Sequence, residues 1–157
     1  ATLAQARPGQ VVALGDGVIM EVLGPPERLF SGTESDVDNA SVVLRLVYGD
    51  VSFLLTGDMF SEAEGALVRE DVPIDSDILQ VGHHGSRSSS SESFLDAVSP
   101  SVAVISAGEN NRLGHPHAET IQALLRHVPD NLLFQTVSDG TIEFITDGHS
   151  LEVKTER

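Results

Sequence analysis

Three apolar runs in this chain end directly in polar loops that carry glycine. Val51 to Thr56 runs into Gly57-Asp58, Asp77 to Val81 into Gly82-His83-His84-Gly85, and Ser101 to Ser106 into the loop Ala107 to His117. Between them, Ser61 to Asp71 and Glu92 to Val98 carry helical patterns, with Glu62 and Glu64 in the first turn of the former, where carboxylates suit the helix dipole. Strands alternating with helices in this way belong to α/β layer architectures. In such sheets the loops at strand ends are where sites assemble. Asp58, the pair His83 and His84, and the pair His115 and His117 are therefore expected to converge on one edge of one sheet.

The rest of the chain fits around that unit. Val11 to Leu14 and Val18 to Leu23 flank Gly15-Asp16-Gly17, a hairpin signal, and Gly24-Pro25-Pro26 ends the second run. Glu27 to Asn39 is polar and reads as a surface loop. Ser41 to Tyr48 and Val51 to Thr56 form a second hairpin around Gly49-Asp50, the latter strand buried on both faces. The serine run Ser88 to Ser91 looks like low complexity and offers an N-cap to Glu92 to Val98. Ala118 to His127 reads as a helix with Ile121, Leu124 and Leu125 on one face. Leu132 to Thr136 and Thr141 to Ile145 read as closing strands joined by Ser138-Asp139-Gly140, and Asp147-Gly148 turns into a last strand, Ser150 to Val153. No linker divides the chain, so one domain, or a large piece of one, is expected.

Composition narrows the function. The formal net charge is −15, which excludes binding nucleic acid through a general basic surface. A phosphate ligand would be held locally, and Arg87 and Arg112 lie within the histidine-bearing loops. The chain has no cysteine, which excludes disulfides and thiolate metal sites. No apolar run approaches the roughly 20 residues that span a bilayer. The stretch Ala1 to Gln10 lacks the charged and apolar regions of a signal peptide.

Imidazole and carboxylate together suit Zn²⁺, Mn²⁺ or iron. A shared aspartate ringed by histidines is a layout that hydrolyses phosphate or acyl bonds. Each element also has an ordinary alternative. Asp58 can cap the helix that follows it, His83-His84 can be a solvated turn, and His115 and His117 can cap the next helix. His127 and His149 read as surface residues, and Glu34 to Asp38 as a solvated acidic loop. Ser86 lies near the histidines but lacks the glycine elbow of a serine hydrolase, so the metal reading accounts for more residues.

The order of motifs is also recognisable. Asp38-Asn39-Ala40-Ser41-Val42-Val43-Leu44, Leu54-Leu55-Thr56-Gly57-Asp58, Val81-Gly82-His83-His84-Gly85-Ser86-Arg87 and Asn110-Asn111-Arg112-Leu113-Gly114-His115-Pro116-His117 follow one another. Asp139-Gly140-Thr141-Ile142-Glu143-Phe144 and Thr146-Asp147-Gly148 close the series. This arrangement resembles the C-terminal metallo-β-lactamase domain of the ComEC family of DNA-internalisation competence proteins, from about Gln10 to Leu151.

The resemblance implies an αββα fold of which residues 1–157 form the C-terminal half, a mixed sheet with helices on one face. It implies that Asp58 bridges metals and that His83 and His84 line the active site. His115 or His117 takes the place of the last metal-binding histidine. Asn39 stands near a further histidine ligand of many relatives, as a polar site residue. The implied metal set is Asp58, His83, His84, His115 and His117; the implied catalytic set is His83, His84, Asn39 and His117. The cofactor would be Zn or Mn. The leading motif His-x-His-x-Asp-His is not in the chain and is expected upstream of Ala1. The chain alone is accordingly expected to be inactive, to bind metal weakly, and to self-associate or swap strands over its open sheet. The implied activity is hydrolysis of DNA phosphodiester bonds during DNA uptake. The implied partners are DNA, the remainder of the domain and a membrane channel. The implied setting is the extracytoplasmic side of a bacterial cell membrane, with this piece itself soluble. The alternatives are a small-ester or phosphoester hydrolase of the same fold, or a degenerate docking module of the channel.

Overall fold

The computed structural model describes residues 5–157, so the first four residues of the Ala1 to Gln10 stretch lie outside it. β1 (Val11–Gly15) and β2 (Val18–Gly24) form the first hairpin. Its turn residues Asp16 and Gly17 both have positive φ, 50° and 85°. Aspartate-glycine tolerates that conformation, and its twist matches that of the flanking strands. β3 (Val43–Tyr48) and β4 (Val51–Leu55) form the second hairpin around Gly49-Asp50.

From β4 onward the pairing becomes parallel. β4 pairs with β5 (Ile78–Gln80), β5 with β6 (Val102–Ile105), and β6 with β7 (Leu133–Gln135). The crossovers run through α1 (Ser61–Arg69), α2 (Glu92–Val98) and α3 (Ala118–Leu124). The described residues thus give a mixed seven-stranded sheet in sequence order, β1 to β7. Parallel strands need such crossovers, whereas antiparallel neighbours close with tight turns.

Alternation along the strands divides the sheet into two faces. Leu54, Leu79 and Ala103 stand in register and are fully buried. They pack with Leu67 of α1, Phe94, Leu95 and Val98 of α2, and Leu124 of α3. All three crossover helices therefore lie on one face. Burying each large side chain contributes roughly 1.5–3 kcal/mol, which makes this layer the main source of stability.

The other face carries Val51, Phe53, Ile78 and Val102, and a separate hairpin packs on it. That hairpin is β8 (Ile142–Thr146) with β9 (Leu151–Thr155). Phe144 meets Phe53 edge-on at 5.7 Å and Phe134 at 6.5 Å. The same face continues into Met20, Leu44, Leu46 and Leu55, which are half-buried. Among the described residues no helix is long and apolar enough to cross a membrane.

Several expectations are corrected. Leu132 to Thr136 and Thr141 to Ile145 are not neighbouring strands. β7 ends at Gln135, and Thr136–Asp139 forms a helical turn, α4. The Asp139 carboxylate accepts the Gln135 N–H at 2.6 Å, which closes that turn and releases β8 to pair only with β9. The helix read over Ser61 to Asp71 stops at Arg69, because Asp71 turns left-handed at φ 53°. The serine run is not low complexity: Ser89 and Ser90 are buried in an ordered loop.

The hairpin's docking rests on Phe144, and Ile145 faces outward at 41% exposure. Phe144→Ala is expected to lower unfolding free energy by about 2 kcal/mol, and Ile145→Ala by less than about 0.5 kcal/mol. Urea denaturation of the two variants checks the difference.

Candidate functional site

The residues after β4, β5 and β6 leave the sheet side by side and are stitched across the strand ends. Thr56, fully buried, donates its hydroxyl to the Gln80 carbonyl at 2.9 Å. Gly57 adopts φ 58°, and a Cβ there would lie 3.1 Å from Ser41 Cβ. The glycine lets the chain turn against that neighbour, so that Gly57 O accepts the His83 N–H at 3.0 Å and the Asp58 N–H reaches Ser41 Oγ at 3.1 Å.

Asp58 does not cap α1. Asn39 does: it is buried, and its Oδ1 accepts the N–H groups of Phe60 and Ala63, each at 3.2 Å. Its Nδ2 donates to Thr33 Oγ1 at 3.0 Å and to Glu62 Oε2 at 3.3 Å. Both polar atoms of the Asn39 side chain thus have partners in the scaffold. The capping function considered for Asp58 belongs to Asn39, which leaves the Asp58 carboxylate half-exposed at the sheet edge.

His83 and His84 both lie in the left-handed region, at φ 47° and 55°. For residues with a Cβ this costs roughly 1–2 kcal/mol each, and such outliers cluster at functional sites. The turn orients the two rings differently. His84 Nδ1 donates to the Ser106 carbonyl at 2.7 Å. This assigns a hydrogen to Nδ1 and turns Nε2 toward Asp58 Oδ1, 3.4 Å away, where it is a ligand whenever the ring is neutral. His83 stacks on Phe60 at 4.8 Å and 24°. Its Nδ1 lies 3.2 Å from Ser88 Oγ, which itself donates to Ser86 Oγ at 2.9 Å. Ser86 is buried behind this chain, not placed as a nucleophile.

The second histidine pair folds back onto the first. Asn111 clamps the loop, accepting the His115 N–H at 2.9 Å and donating to the His115 carbonyl at 2.6 Å. The His117 N–H donates to Gly85 O at 2.9 Å. A Cβ at Gly85 would meet Pro116 Cβ at 2.6 Å, so only glycine permits this approach. The four rings form a row, with centroid separations of 6.4 Å from His84 to His83, 5.4 Å to His115 and 4.8 Å to His117. Burial, and then the neighbouring His117, His83, His84 and Arg87, hold the His115 ring below the usual imidazole range. It is therefore neutral at pH 7. His117 Nδ1 accepts the Arg87 N–H at 3.1 Å. With Nδ1 accepting, the ring hydrogen sits on Nε2, which leaves that nitrogen a donor.

Asp58, His83, His84, His115 and His117 are thus gathered at one edge, and Asn39 lies beneath α1. The donor set can be tested for a metal ion. Two ligands about 2.0–2.1 Å from one ion at a tetrahedral angle stand about 3.4 Å apart. Asp58 Oδ1 and His84 Nε2 have that spacing. His84 also has the carbonyl-anchored second nitrogen usual for metal-binding histidines. Among the described residues no group of three His, Asp or Glu side chains is close enough to hold one ion. This edge therefore fits two ligands of a metal, not a complete set. The sequence reading missed Phe60, Ser106, Asn111 and Glu64. Their contributions are a ring face, a backbone carbonyl and buried polar anchors, none of which leaves a short-range pattern.

Asparagine tolerates the left-handed region better than histidine. His84→Asn is therefore expected to change unfolding free energy by less than about 1 kcal/mol, since relief of strain offsets the lost Ser106 bond. Thermal unfolding of the metal-free protein checks this; a loss of several kcal/mol would show that the ring holds the fold together.

Residues 9–109 match the Metallo-beta-lactamase superfamily. The chain is 41% identical over 107 residues to ComE operon protein 3 of Bacillus subtilis (strain 168), covering 68% of this chain and 14% of that protein. It is 41% identical over 130 residues to Competence protein ComA of Neisseria gonorrhoeae, covering 82% of this chain and 18% of that protein. It is 38% identical over 111 residues to Recombination protein 2 of Haemophilus influenzae (strain ATCC 51907 / DSM 11121 / KW20 / Rd), covering 71% and 13%. The chain therefore spans less than a fifth of these curated relatives. With its mixed sheet, one-sided helices and strand-end cluster of aspartate and histidines, the chain belongs to the metallo-beta-lactamase superfamily.

Proposed function

We propose that this chain is the C-terminal part of a metal-dependent hydrolase domain that cleaves DNA phosphodiester bonds during DNA uptake. The observation that carries the reading is the 3.4 Å approach of His84 Nε2 to Asp58 Oδ1, with His84 Nδ1 anchored on Ser106. Similarity to one protein named for competence and another named for recombination supports DNA as the substrate class and a larger bacterial protein as the setting.

Asp58 and His84 would hold one side of the divalent metal, Zn or Mn, with the remaining ligands supplied by the rest of the domain. The half-buried Met20, Leu44, Leu46 and Leu55 face is the surface on which that rest of the domain would pack. A metal bound there would supply positive charge to a phosphate oxygen and lower the pKa of a water. The chain's own residues orient the substrate. His117 offers its Nε2–H, and the exposed Arg87, whose backbone N–H bonds His117 Nδ1, brings a fixed positive charge on the adjoining loop. Both suit a phosphate oxygen, and in a chain of net charge −15 they act locally. A cleft of about 430 Å³ beside His84 and His115, lined by Ala107, Asn111 and Leu113, receives the adjoining nucleotide. Asn111 spends its amide on the Gly108 and His115 carbonyls, so the cleft reads shape and not base identity.

In the domain completed by its preceding part, hydrolysis of a fluorescent DNA oligonucleotide with Mn²⁺ tests the proposal. Asp58→Asn and His84→Asn are expected to lower kcat/KM by at least about 100-fold. His117→Phe, which removes the donor, is expected to lower it by about 10–100-fold. Cleavage that survives in both Asp58→Asn and His84→Asn, or cleavage of small esters but not DNA, would refute it.

A further inference from the structure

Glu64 looks like an ordinary acid in the first turn of α1, yet its side chain is 1% exposed. No cation pairs with it among the described residues. Its oxygens accept the N–H groups of Ser90 at 2.5 Å and Ser91 at 2.8 Å. Burial pushes its carboxyl above the usual range, a cost that an apolar residue at the same place would not incur.

Capping of α2 does not account for it. A cap accepts from the second or third N–H of the helix it serves. Ser91 is the residue before α2 begins at Glu92, and Ser90 precedes it in the left-handed region at φ 63°. Glu64 grips the loop, not the helix. Two residues earlier on that loop, the Ser88 carbonyl accepts the Ser61 N–H at 2.8 Å, so α1 holds both ends of the segment Ser88 to Ser91. Ser89 Oγ ties the same segment to Gly82 O at 2.8 Å and to Ser86 O at 3.0 Å. The product of this folding is the position of Ser88 Oγ, 3.2 Å from His83 Nδ1. Phe60, at the start of α1, supports the face of the same ring.

We infer that Glu64 is a positioning residue for His83, setting the Ser88–Ser91 loop so that Ser88 holds the ring hydrogen on Nδ1 and the bare Nε2 faces the site. What that nitrogen then does rests on the hydrolase reading; the clamp itself does not. α1 follows directly from the Asp58 loop, so one helix fixes the carboxylate on one side and the orientation of His83 on the other. A free imidazole favours the hydrogen on Nε2, which makes the Nδ1–H form a signature of the clamp.

The test is long-range ¹H–¹⁵N NMR of the histidine rings in the metal-free 157-residue chain. Wild type is expected to show His83 with hydrogen on Nδ1. In Glu64→Gln, the amide turns an NH₂ toward a backbone N–H in place of one acceptor. The His83 Nδ1–H signature is expected to be lost, with His84, anchored on Ser106, and His117, anchored on Arg87, unchanged. A folded Glu64→Gln protein with His83 unaltered would overturn the inference and leave Glu64 a scaffold residue. If Glu64→Gln does not fold, Ser88→Ala reads the coupling from the other end: it is expected to abolish the His83 signature and shift the Ser90 and Ser91 amide resonances. Retention of both would overturn the inference equally. No metal or DNA enters the measurement, so its failure is distinct from failure of the hydrolysis test.

Discussion

The parallel pairing of β4, β5 and β6 is the constraint on which the site depends. Phe53, Ile78 and Val102 are paired, as are Leu55, Gln80 and, one strand on, Val104. The three strands therefore end level, and the residues beyond them emerge side by side. Bonds across the ends then fix the spacing: Thr56 Oγ1 to Gln80 O, His83 N–H to Gly57 O, Val81 N–H to Val104 O, and His84 Nδ1 to Ser106 O. A slip of one residue in any strand would turn Leu54, Leu79 or Ala103 out of the helix-covered core. The same apolar burial that stabilises the fold thus sets where the carboxylate and the imidazoles stand.

That core also carries strain. Two consecutive histidines in left-handed conformation, together with a buried carboxylate at Glu64 that has backbone N–H partners but no paired cation among the described residues, oppose folding. Proteins tolerate such local costs where a function requires the geometry. Here the strained turn sends adjacent rings in different directions. His84 points toward Asp58, and His83 points toward Phe60 and the serine loop. Adjacent residues on a strand or a helix would not both reach these targets while staying next to one sheet edge.

Much of this was legible in the sequence. Glycine-flanked histidines directly after short apolar runs placed Asp58, His83, His84, His115 and His117 at one edge, because strand-end position follows from pattern and order. Asp16-Gly17 and Gly49-Asp50 gave two hairpins for the same local reason. The misreadings involve partners distant in sequence. Asn39, expected as a polar residue of the site, instead caps α1 from 24 positions before Ala63. Glu64 passes for a surface acid because its partners lie 26 and 27 residues away. The β7–β8 connection fails because Asp139, in a turn-like tripeptide, instead bonds Gln135 and closes a helical turn. The division of the imidazoles into His84, with Nε2 turned to Asp58, and His117, with Nδ1 occupied by a backbone N–H, depends on Ser106 O and the Arg87 N–H. Backbone groups leave no signature in a sequence.

The central claim is that Asp58 and His84 form the metal-holding edge. Paramagnetic broadening of NMR signals by Mn²⁺ tests it directly, because it locates an ion even when binding is weak. The expected result is broadening centred on Asp58 and His84 that disappears in His84→Asn. Broadening centred on the acidic loop Glu34 to Asp38, or an unchanged pattern in His84→Asn, would contradict the claim.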